Sequence, residues 1–436
     1  MRDLFVASIV FGLLPFVLKR PFIGILLTAW LGYLNPHRLC YGFMFTMPVV
    51  QIVALATMAG MLMNKEVKRM IWSRETIVLA IFIGWMGVTT MLAFHPDPAW
   101  IQYEKVIKIQ ILTLMSLLLL TSKLRIDALL WIIVLSLGFF GIKGGIFTIL
   151  NGGAYRVQGP SNTFIAGNNE LALALVMTIP LMRYLQLQSS DARIRLGLTA
   201  SMFLTALAAI GSQSRGALVA LSLTALFFWL KSRKKLGLAL LIIIAAATIV
   251  LLMPDSWYER MSTINTYNED DSALGRLNAW WAAWHLANHH FFGGGFEVWR
   301  PLMFAMYAPE PNNVRAPHSI YFQVLGEHGW IGFILFMSLI GLTWAKCGSL
   351  IRLDKKRSEI LWARDLGAMI QVSLLGYMSA GAFLGLANFD YFYHLVTIVV
   401  AAHYLVTKPQ TVSADLRPQV SPKLSLGTLW AQVRRL

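Results

Sequence analysis

Three arginines stand in short polar segments between apolar runs, and their chemistry suits a phosphate ligand: Arg156, Arg215 and Arg276. Arginine is permanently charged, and its planar fork of N–H donors matches phosphate oxygens two at a time. If the three converge, they predict a site for a phosphate or pyrophosphate. The alternative is that each pairs with a carboxylate, such as Asp271 or Glu297, and holds loops together. For Arg215 the ligand role is favoured, because a charge at a tight turn between two apolar runs is costly and seldom structural.

His318 is the candidate general base. A histidine titrates near neutrality, and its neutral ring can take a proton from an attacking hydroxyl. The alternative is a structural histidine at an interface. The chain has nine histidines, and position alone does not distinguish His318 from His289, His290 or His328.

A bound metal ion is the alternative to the arginines for stabilising the negative charge of a leaving group. The acidic run Glu269, Asp270 and Asp271 has oxygens that suit Mg²⁺ or Mn²⁺. Such a run is more often a solvated face, and the surplus of arginines indicates that protein groups meet the charge. We therefore expect no metal and no other cofactor. The secondary candidates for substrate contacts are Lys143, Asn168, Asp271 and Tyr321.

The composition requires a membrane to position these residues. Hydrophobic residues make up 57% of the 436-residue chain and charged residues only 13%, with a mean hydropathy of +0.61. A soluble domain of this length cannot cover its surface with so few charges. Apolar runs of about 18 residues or more recur throughout and predict membrane-spanning helices. The net charge is +16, and its basic residues cluster in short segments between those runs. This distribution favours a role in membrane orientation over nucleic-acid binding.

The positive-inside rule orients the helices. Dense Lys and Arg place segments 64–75, 231–235 and 346–365 in the cytoplasm, and 122–127 and 188–195 are weaker members of that set. The connections between them must then be external: 94–104, 151–162, 211–215, 254–317 and 385–390. The three arginines and His318 therefore share the external face, under a topology that other residues define.

The resulting fold class is an all-α polytopic membrane protein with about 12 transmembrane helices and one large external segment. We expect four regions: transmembrane helices over 1–253, the external loop with helices over 254–318, transmembrane helices over 319–406, and a cytoplasmic tail over 407–436. Residues 4–18 and 21–34 are each short for a full crossing. They form a re-entrant segment followed by one span, one long kinked helix, or two thin spans that would put the N-terminus outside. We expect a single crossing there, with both termini cytoplasmic.

The external segment contains a predicted helix over residues 274–290. Trp280, Trp281 and Trp284 cluster on one side of it. Tryptophan is favoured at membrane interfaces, so the helix either lies at the interface or forms a lid over a lipid-borne substrate. The two interpretations are compatible.

Several motifs together resemble the O-antigen ligase and polymerase superfamily over about residues 150–345. They are the segment 214–218 with Arg215, the stretch from Asp271 to Arg276, the aromatic and glycine run 292–296, and the segment 318–332 that opens with His318. Three further segments are similar to the branch of O-glycosylation ligases associated with exosortase systems: 35–39, 141–145 and 167–172.

The resemblance implies a GT-C-like membrane glycosyltransferase in the bacterial inner membrane with its active site on the periplasmic side. It would transfer a glycan from undecaprenyl pyrophosphate to a hydroxyl of lipid A–core, with inversion, in lipopolysaccharide maturation. Arg215 and Arg276 would bind the pyrophosphate with Arg156 as a further member, and His318 would be the base or would orient the acceptor. His328 departs from the expected pattern and has no assigned role.

Other functions stay open at this point. A polymerase that extends the glycan on its carrier, or a ligase that glycosylates a protein, would use the same donor. A transporter of lipid-linked oligosaccharide is less favoured, because the two halves show no internal repeat and the charged cluster lies near one face. The identity and length of the glycan, the acceptor hydroxyl and the oligomeric state do not follow from the sequence.

Overall fold

In the computed structural model the described residues are 1–65, 68, 70–231, 235–237, 239–240, 243–244, 247, 253–262, 271–354 and 356–407. Within them all the regular elements are helical. The α-helices are α1 (Arg2–Lys19), α2 (Pro21–Tyr33), α3 (Val49–Met63), α4 (Arg74–Met91), α5 (Pro96–Leu119), α6 (Lys123–Leu150), α7 (Asn168–Gln188), α8 (Ala192–Gly211), α9 (Arg215–Lys231), α10 (Asp255–Ser262), α11 (Asp271–His289), α12 (Pro301–Tyr307), α13 (Ile320–Ile351), α14 (Leu361–Gly381) and α15 (Asp390–Thr407).

Five of the described helices are long and apolar enough to cross a membrane: α4, α6, α7, α8 and α13. Three shorter apolar helices accompany them: α2, α3 and residues Arg215–Leu230 of α9. The chain is thus a multi-pass, all-helical membrane protein. The count of about 12 spans stays a prediction. The predicted tail beyond Thr407 lies outside the described residues.

The two ends of the bundle carry different loops. We call the end with residues 35–48, 92–95, 151–167, 212–214 and 382–389 the site face, and the end with 352–354, 356–360 and 189–191 the opposite face. At the opposite face, Lys346 Nζ lies 2.6 Å from Oε2 of the buried Glu75. Because this pair joins α13 to α4, the basic loops and the ends of these helices are fixed to one another on that side.

The first 33 residues form two helices, α1 and α2, where a single crossing was expected. Arg20 separates α1 from α2, and Pro21 occupies the first turn of α2, a position where proline is favoured. At one end of α1, Asp3 Oδ1 accepts hydrogen bonds from the backbone of Gly42 and Met44, at 3.0 and 3.1 Å. At its other end the Leu18 carbonyl accepts a bond from Asn64, which follows α3.

The helices α1 and α2 therefore run antiparallel, and α1 runs parallel to α3 from the site face to the opposite face. The chain begins at the site face, the same face as the arginines, where the opposite face was expected. The number of membrane crossings in this region stays a prediction, because α2 has only 13 residues and α1 is not among the helices long and apolar enough to span.

Small residues bring α6 and α8 together. A Cβ atom at Gly145 would collide with the backbone carbonyl of Leu204, and one at Gly144 would lie 3.0 Å from the Cβ of Ala208. Close backbone approach of this kind drives helix association in membranes, where apolar burial alone gives little. These glycines therefore allow close packing of α6 on α8.

The helix α13 is broken at Gly329, whose φ is +64°. The break frees carbonyls that would normally accept bonds four residues on. Gly294 N and Gly295 N donate to the carbonyls of Gly326 and Glu327, both at 2.9 Å. These backbone bonds fasten the segment after α11 to the span that follows His318.

Candidate active site

The turn between α8 and α9 presents Arg215 at the site face. Only three residues form the turn, and the middle one, Gln213, has a φ of +55°, which is uncommon for a residue other than glycine. Ser214 Oγ accepts the Ala217 N–H at 3.2 Å and so caps α9. Arg215 is the first residue of α9. A helix N-terminus carries partial positive charge, so the turn and Arg215 together favour an anion.

Arg276 reaches the same place from α11. Ser272 and Arg276 are one helical turn apart, so they share a face of the helix. Gly275 is buried, and a Cβ atom there would lie 2.5 Å from Cδ of Arg315. The missing side chain at Gly275 thus lets Arg315 cross α11 directly beside Arg276.

Arg215 and Arg276 line one small cavity, which we call the arginine cavity. Its volume is about 50 Å³, room for roughly four water molecules by that measure. Its polar lining also includes Asn169, Gln213 and Ser272, and its apolar lining comes from the end of α14 and the loop after it. The cavity thus brings together two guanidinium groups from different helices, a lining that suits an anion.

Arg156 is connected to the arginine cavity through one of its lining residues. Its Nε donates to Oε1 of Gln213 at 3.3 Å, and Gln213 Nε2 donates to the carbonyl of Gly153 at 3.1 Å. Arg156 is exposed and does not line the cavity itself. It lies at the rim.

His318 lies beside the arginine cavity and does not line it. Its Cα is 3.9 Å from the position a Cβ atom would take at Gly385, one residue past Leu384, which does line the cavity. The backbone of His318 is left-handed, with a φ of +42°. Trp280 helps to hold it, because Trp280 Nε1 donates to the Pro317 carbonyl at 2.7 Å and its ring stacks on Phe322. Such a backbone persists only where the surroundings over-determine it.

The electrostatics of His318 suit a proton acceptor. Burial lowers the pKa of its ring below the usual 6.5, and the nearby charge of Arg276 lowers it further. Both causes disfavour the protonated form. The ring is therefore neutral at pH 7, the state in which it can accept a proton.

The secondary candidates divide between the cavity and other places. Asn168 Nδ2 donates to the Ser212 carbonyl at 2.8 Å and supports the turn before Arg215. Tyr321 uses its hydroxyl to donate to the Met378 carbonyl at 2.9 Å, a contact between α13 and α14. Asp271 begins α11 and is exposed, one residue from the lining residue Ser272. Lys143 is exposed on α6 and does not line the cavity.

The acidic run proposed as the competing metal site falls mostly outside the described residues, since only Asp271 of the three is described. Among the residues that the structure describes, no group of three or more His, Cys, Asp or Glu side chains is placed to hold a metal ion.

A protein-family model matches the part of the chain that carries this site. Residues 200–337 match the family model described as O-Antigen ligase, and they contain Arg215, Arg276 and His318. These residues form a domain of the O-antigen ligase superfamily. Membership supports glycosyl transfer of the ligase or polymerase type, with a lipid-linked glycan as substrate. Residues 1–190 match a family of unknown function (DUF5935), and no curated protein matches the chain.

The structure adds residues that the sequence patterns did not single out for the site. Gln213 joins the rim to the cavity, and Ser272 contributes a hydroxyl from α11. Trp280, expected in a platform or at the interface, instead packs on α13 and holds the residue before His318, whereas Trp281 and Trp284 are partly exposed. The one available signal was spacing, because Ser272, Arg276 and Trp280 recur every four residues along one helix.

Proposed function

We propose that this protein is an O-antigen ligase that transfers a glycan from undecaprenyl pyrophosphate to a hydroxyl of lipid A–core. One observation carries the proposal: Arg215 and Arg276 come from different helices and line the same small polar cavity, with His318 beside it. A pyrophosphate linked to a glycan presents the anion that such a cavity suits.

The reaction is an inverting displacement. The acceptor oxygen forms a bond to the anomeric carbon of the donor glycan, and the bond from that carbon to the pyrophosphate oxygen breaks. The pyrophosphate leaves with the bonding electron pair, and its new charge lies against Arg215 and Arg276. Preorganised donors aimed at developing charge typically contribute about 10²–10³ in rate each.

His318 receives the proton of the acceptor hydroxyl. A general base of this kind contributes about 10²–10⁴ in rate. The proton then leaves the ring to solvent as the site resets. Arg276 serves both groups, because its charge binds the leaving group and keeps the His318 ring neutral before attack.

The site face is the periplasmic face under this proposal. The described residues of the basic segments 64–75 and 346–365 lie at the other end of the spans, where the positive-inside rule expects the cytoplasm. The site then meets its lipid-linked glycan at the periplasmic face of the inner membrane, where lipid A–core is completed.

The decisive experiment is transfer by the purified, reconstituted protein from undecaprenyl-pyrophosphate glycan to lipid A–core, with and without EDTA. We expect glycan on lipid A–core in both conditions, and loss of transfer in Arg215→Ala, Arg276→Ala and His318→Ala. Arg300→Ala is the matched control, because Arg300 is exposed and its Nε donates to the Glu297 carbonyl, away from the cavity.

The other outcomes separate the alternatives. A ladder of longer glycans on the carrier would identify a polymerase, and glycan on an added protein acceptor would identify a protein ligase. Full activity of both Arg215→Ala and Arg276→Ala would contradict the pyrophosphate site itself. Loss of transfer in EDTA, restored by Mg²⁺, would contradict the metal-free mechanism.

A further inference from the structure

A second and much larger cavity opens at the site face, and nothing in the proposed reaction uses it. Its volume is about 540 Å³, within the usual range for small-molecule sites. Its walls are α2 with the turn after it, the first half of α5, the loop over residues 162–165, and the start of α15. Most of this lining belongs to residues 1–190, the part that matches the family of unknown function. We call it the headgroup cavity.

Two cations line the headgroup cavity. Arg38 is held in place, because its Nη1 donates to the Phe45 carbonyl at 3.0 Å and its guanidinium lies 5.2 Å from the centre of the Phe45 ring. Lys105 is exposed on α5. The carboxylate of Asp390 also lines the cavity, so the charged groups sum to an excess of one positive charge. This balance suits an anion that also carries hydroxyl groups.

The uncharged polar lining suits a sugar. Asn35, Gln102 and Asn162 each bring a side-chain amide, which offers both donors and an acceptor. His37 is 6% exposed, and its Nδ1 is buried with no hydrogen-bond partner among the described residues. A buried polar atom without a partner costs free energy. A ligand hydroxyl in this cavity would provide one.

The deeper lining is apolar. Ile109 and Leu112 follow Lys105 by one and two helical turns on the same face of α5, which extends the cavity about 10 Å along the helix axis. Leu31 of α2 and Val50 of α3 add apolar lining nearer the site face. A charged mouth above an apolar interior is the pattern that an amphiphile requires.

The headgroup cavity lies close to the arginine cavity. Ile165 lines the first and Asn169 lines the second, and four residues of chain span at most about 14 Å. Leu384 and Phe389 form a similar connection on the other side. A saccharide that extends from one cavity can therefore reach the other.

We propose that the headgroup cavity binds the acceptor as a phosphorylated glycolipid, with a phosphate at Arg38 and Lys105, sugar hydroxyls at His37 and the amides, and the start of an acyl chain along Ile109 and Leu112. This assignment rests on the proposed function, and it gives the N-terminal region the task of holding the acceptor lipid. The donor pyrophosphate stays in the arginine cavity.

The test measures binding to the purified full-length protein in detergent by native mass spectrometry. The probes are bisphosphorylated lipid A, the same lipid after enzymatic removal of its phosphates, and phosphatidylglycerol. Lys105→Ala is the informative variant, since the side chain is exposed and its loss should not disturb folding. Lys108→Ala is the matched control: Lys108 is also exposed on α5, but it pairs with Glu104 at 2.5 Å and does not line the cavity.

We expect Lys105→Ala to weaken binding of bisphosphorylated lipid A about tenfold, the value of one hydrogen bond to a charged group, and Lys108→Ala to leave it unchanged. The dephosphorylated lipid should bind more weakly and should not distinguish the two variants. Equal effects of Lys105→Ala and Lys108→Ala would overturn the proposal. So would equal binding of phosphatidylglycerol, which would indicate a general site for acidic lipids.

This measurement needs neither donor nor turnover, so its failure is distinct from failure of the proposed function. Intact lipid A binding without any transfer would remove the proposed function alone. Intact transfer to lipid A–core with no difference between Lys105→Ala and Lys108→Ala would remove the assignment of the headgroup cavity alone.

Discussion

The Nε of Arg156 donates a hydrogen bond to Oε1 of Gln213 at 3.3 Å. This bond connects an exposed arginine of one loop to a residue that lines the arginine cavity from another. The three arginines predicted to act together are therefore not equivalent. Arg215 and Arg276 line the cavity. Arg156 lies at its rim, separated from it by the uncharged side chain of Gln213.

Arg156→Ala should reduce kcat/KM for the donor by less than about tenfold, because an exposed charge contributes at most about 1 kcal/mol. Arg276→Ala should reduce it by about 10²–10³, as expected for a preorganised donor to developing charge. Initial rates over a range of donor concentrations measure both. Equal losses in the two variants would show that Arg156 enters the cavity when substrate binds.

His318→Asn should abolish transfer and leave the thermal unfolding midpoint close to that of the unchanged protein. Asparagine tolerates the left-handed backbone found at this position, with φ at +42°, but it cannot accept the proton. His318→Ala should be less stable than His318→Asn by about 1–2 kcal/mol, since alanine is strained there. Unfolding followed by tryptophan fluorescence, beside the transfer assay, tests both statements. Substantial transfer by His318→Asn would exclude a role as base.

The pH profile of transfer should reflect the lowered pKa of His318. The ring must be neutral to act, and burial together with Arg276 puts its pKa below 6.5. Activity should therefore be retained at pH 6.5 and fall only as the pH drops below that value and the ring becomes protonated. The measurement is kcat/KM for the acceptor against pH. An acidic limb centred above pH 6.5 would contradict the environment assigned to His318.

Gly145→Ala should destabilise the protein by about 1–3 kcal/mol, the usual cost of an overpacked contact, because the added methyl group meets the Leu204 carbonyl. Gly84→Ala is the matched control: Gly84 lies in the span α4, and a Cβ atom there meets nothing within 4 Å. Its effect should stay within about 0.5 kcal/mol. Unfolding midpoints in one detergent compare the two. Equal midpoints would show that α6 and α8 separate easily.

The shared face of the candidate site residues could be predicted from charge alone. A membrane reduces the position of a loop to one of two faces, and the basic segments around Lys346 and Arg74 determine which face each loop occupies. Arg215, Arg276 and His318 were thereby placed together without knowledge of any contact. The sequence could not show that Lys143 lies outside the lining of the arginine cavity, because its position along α6 says nothing about the direction in which its side chain points.

Other features had no readable signal in the sequence. The separation of α1 from α2 depends on a turn at Arg20 and Pro21 with no intervening loop, and the 13 residues of α2 fall below the length expected of a span. The headgroup cavity is assembled from five separate segments whose residues are of ordinary polar and apolar types. Only their arrangement in space makes them a site, and periodicity within one segment does not reveal it.

The break at Gly329 bears on how enzymes of this kind could change substrate. Main-chain bonds from Gly294 and Gly295 fasten the segment that follows α11 to α13, and the Trp280 side chain fastens α11 to the residue before His318. Outside these contacts, side chains that line the cavities can change while α11 and α13 keep their relative position. A lineage could acquire a new acceptor by ordinary substitutions in the loops while the distance between leaving group and base stayed constant.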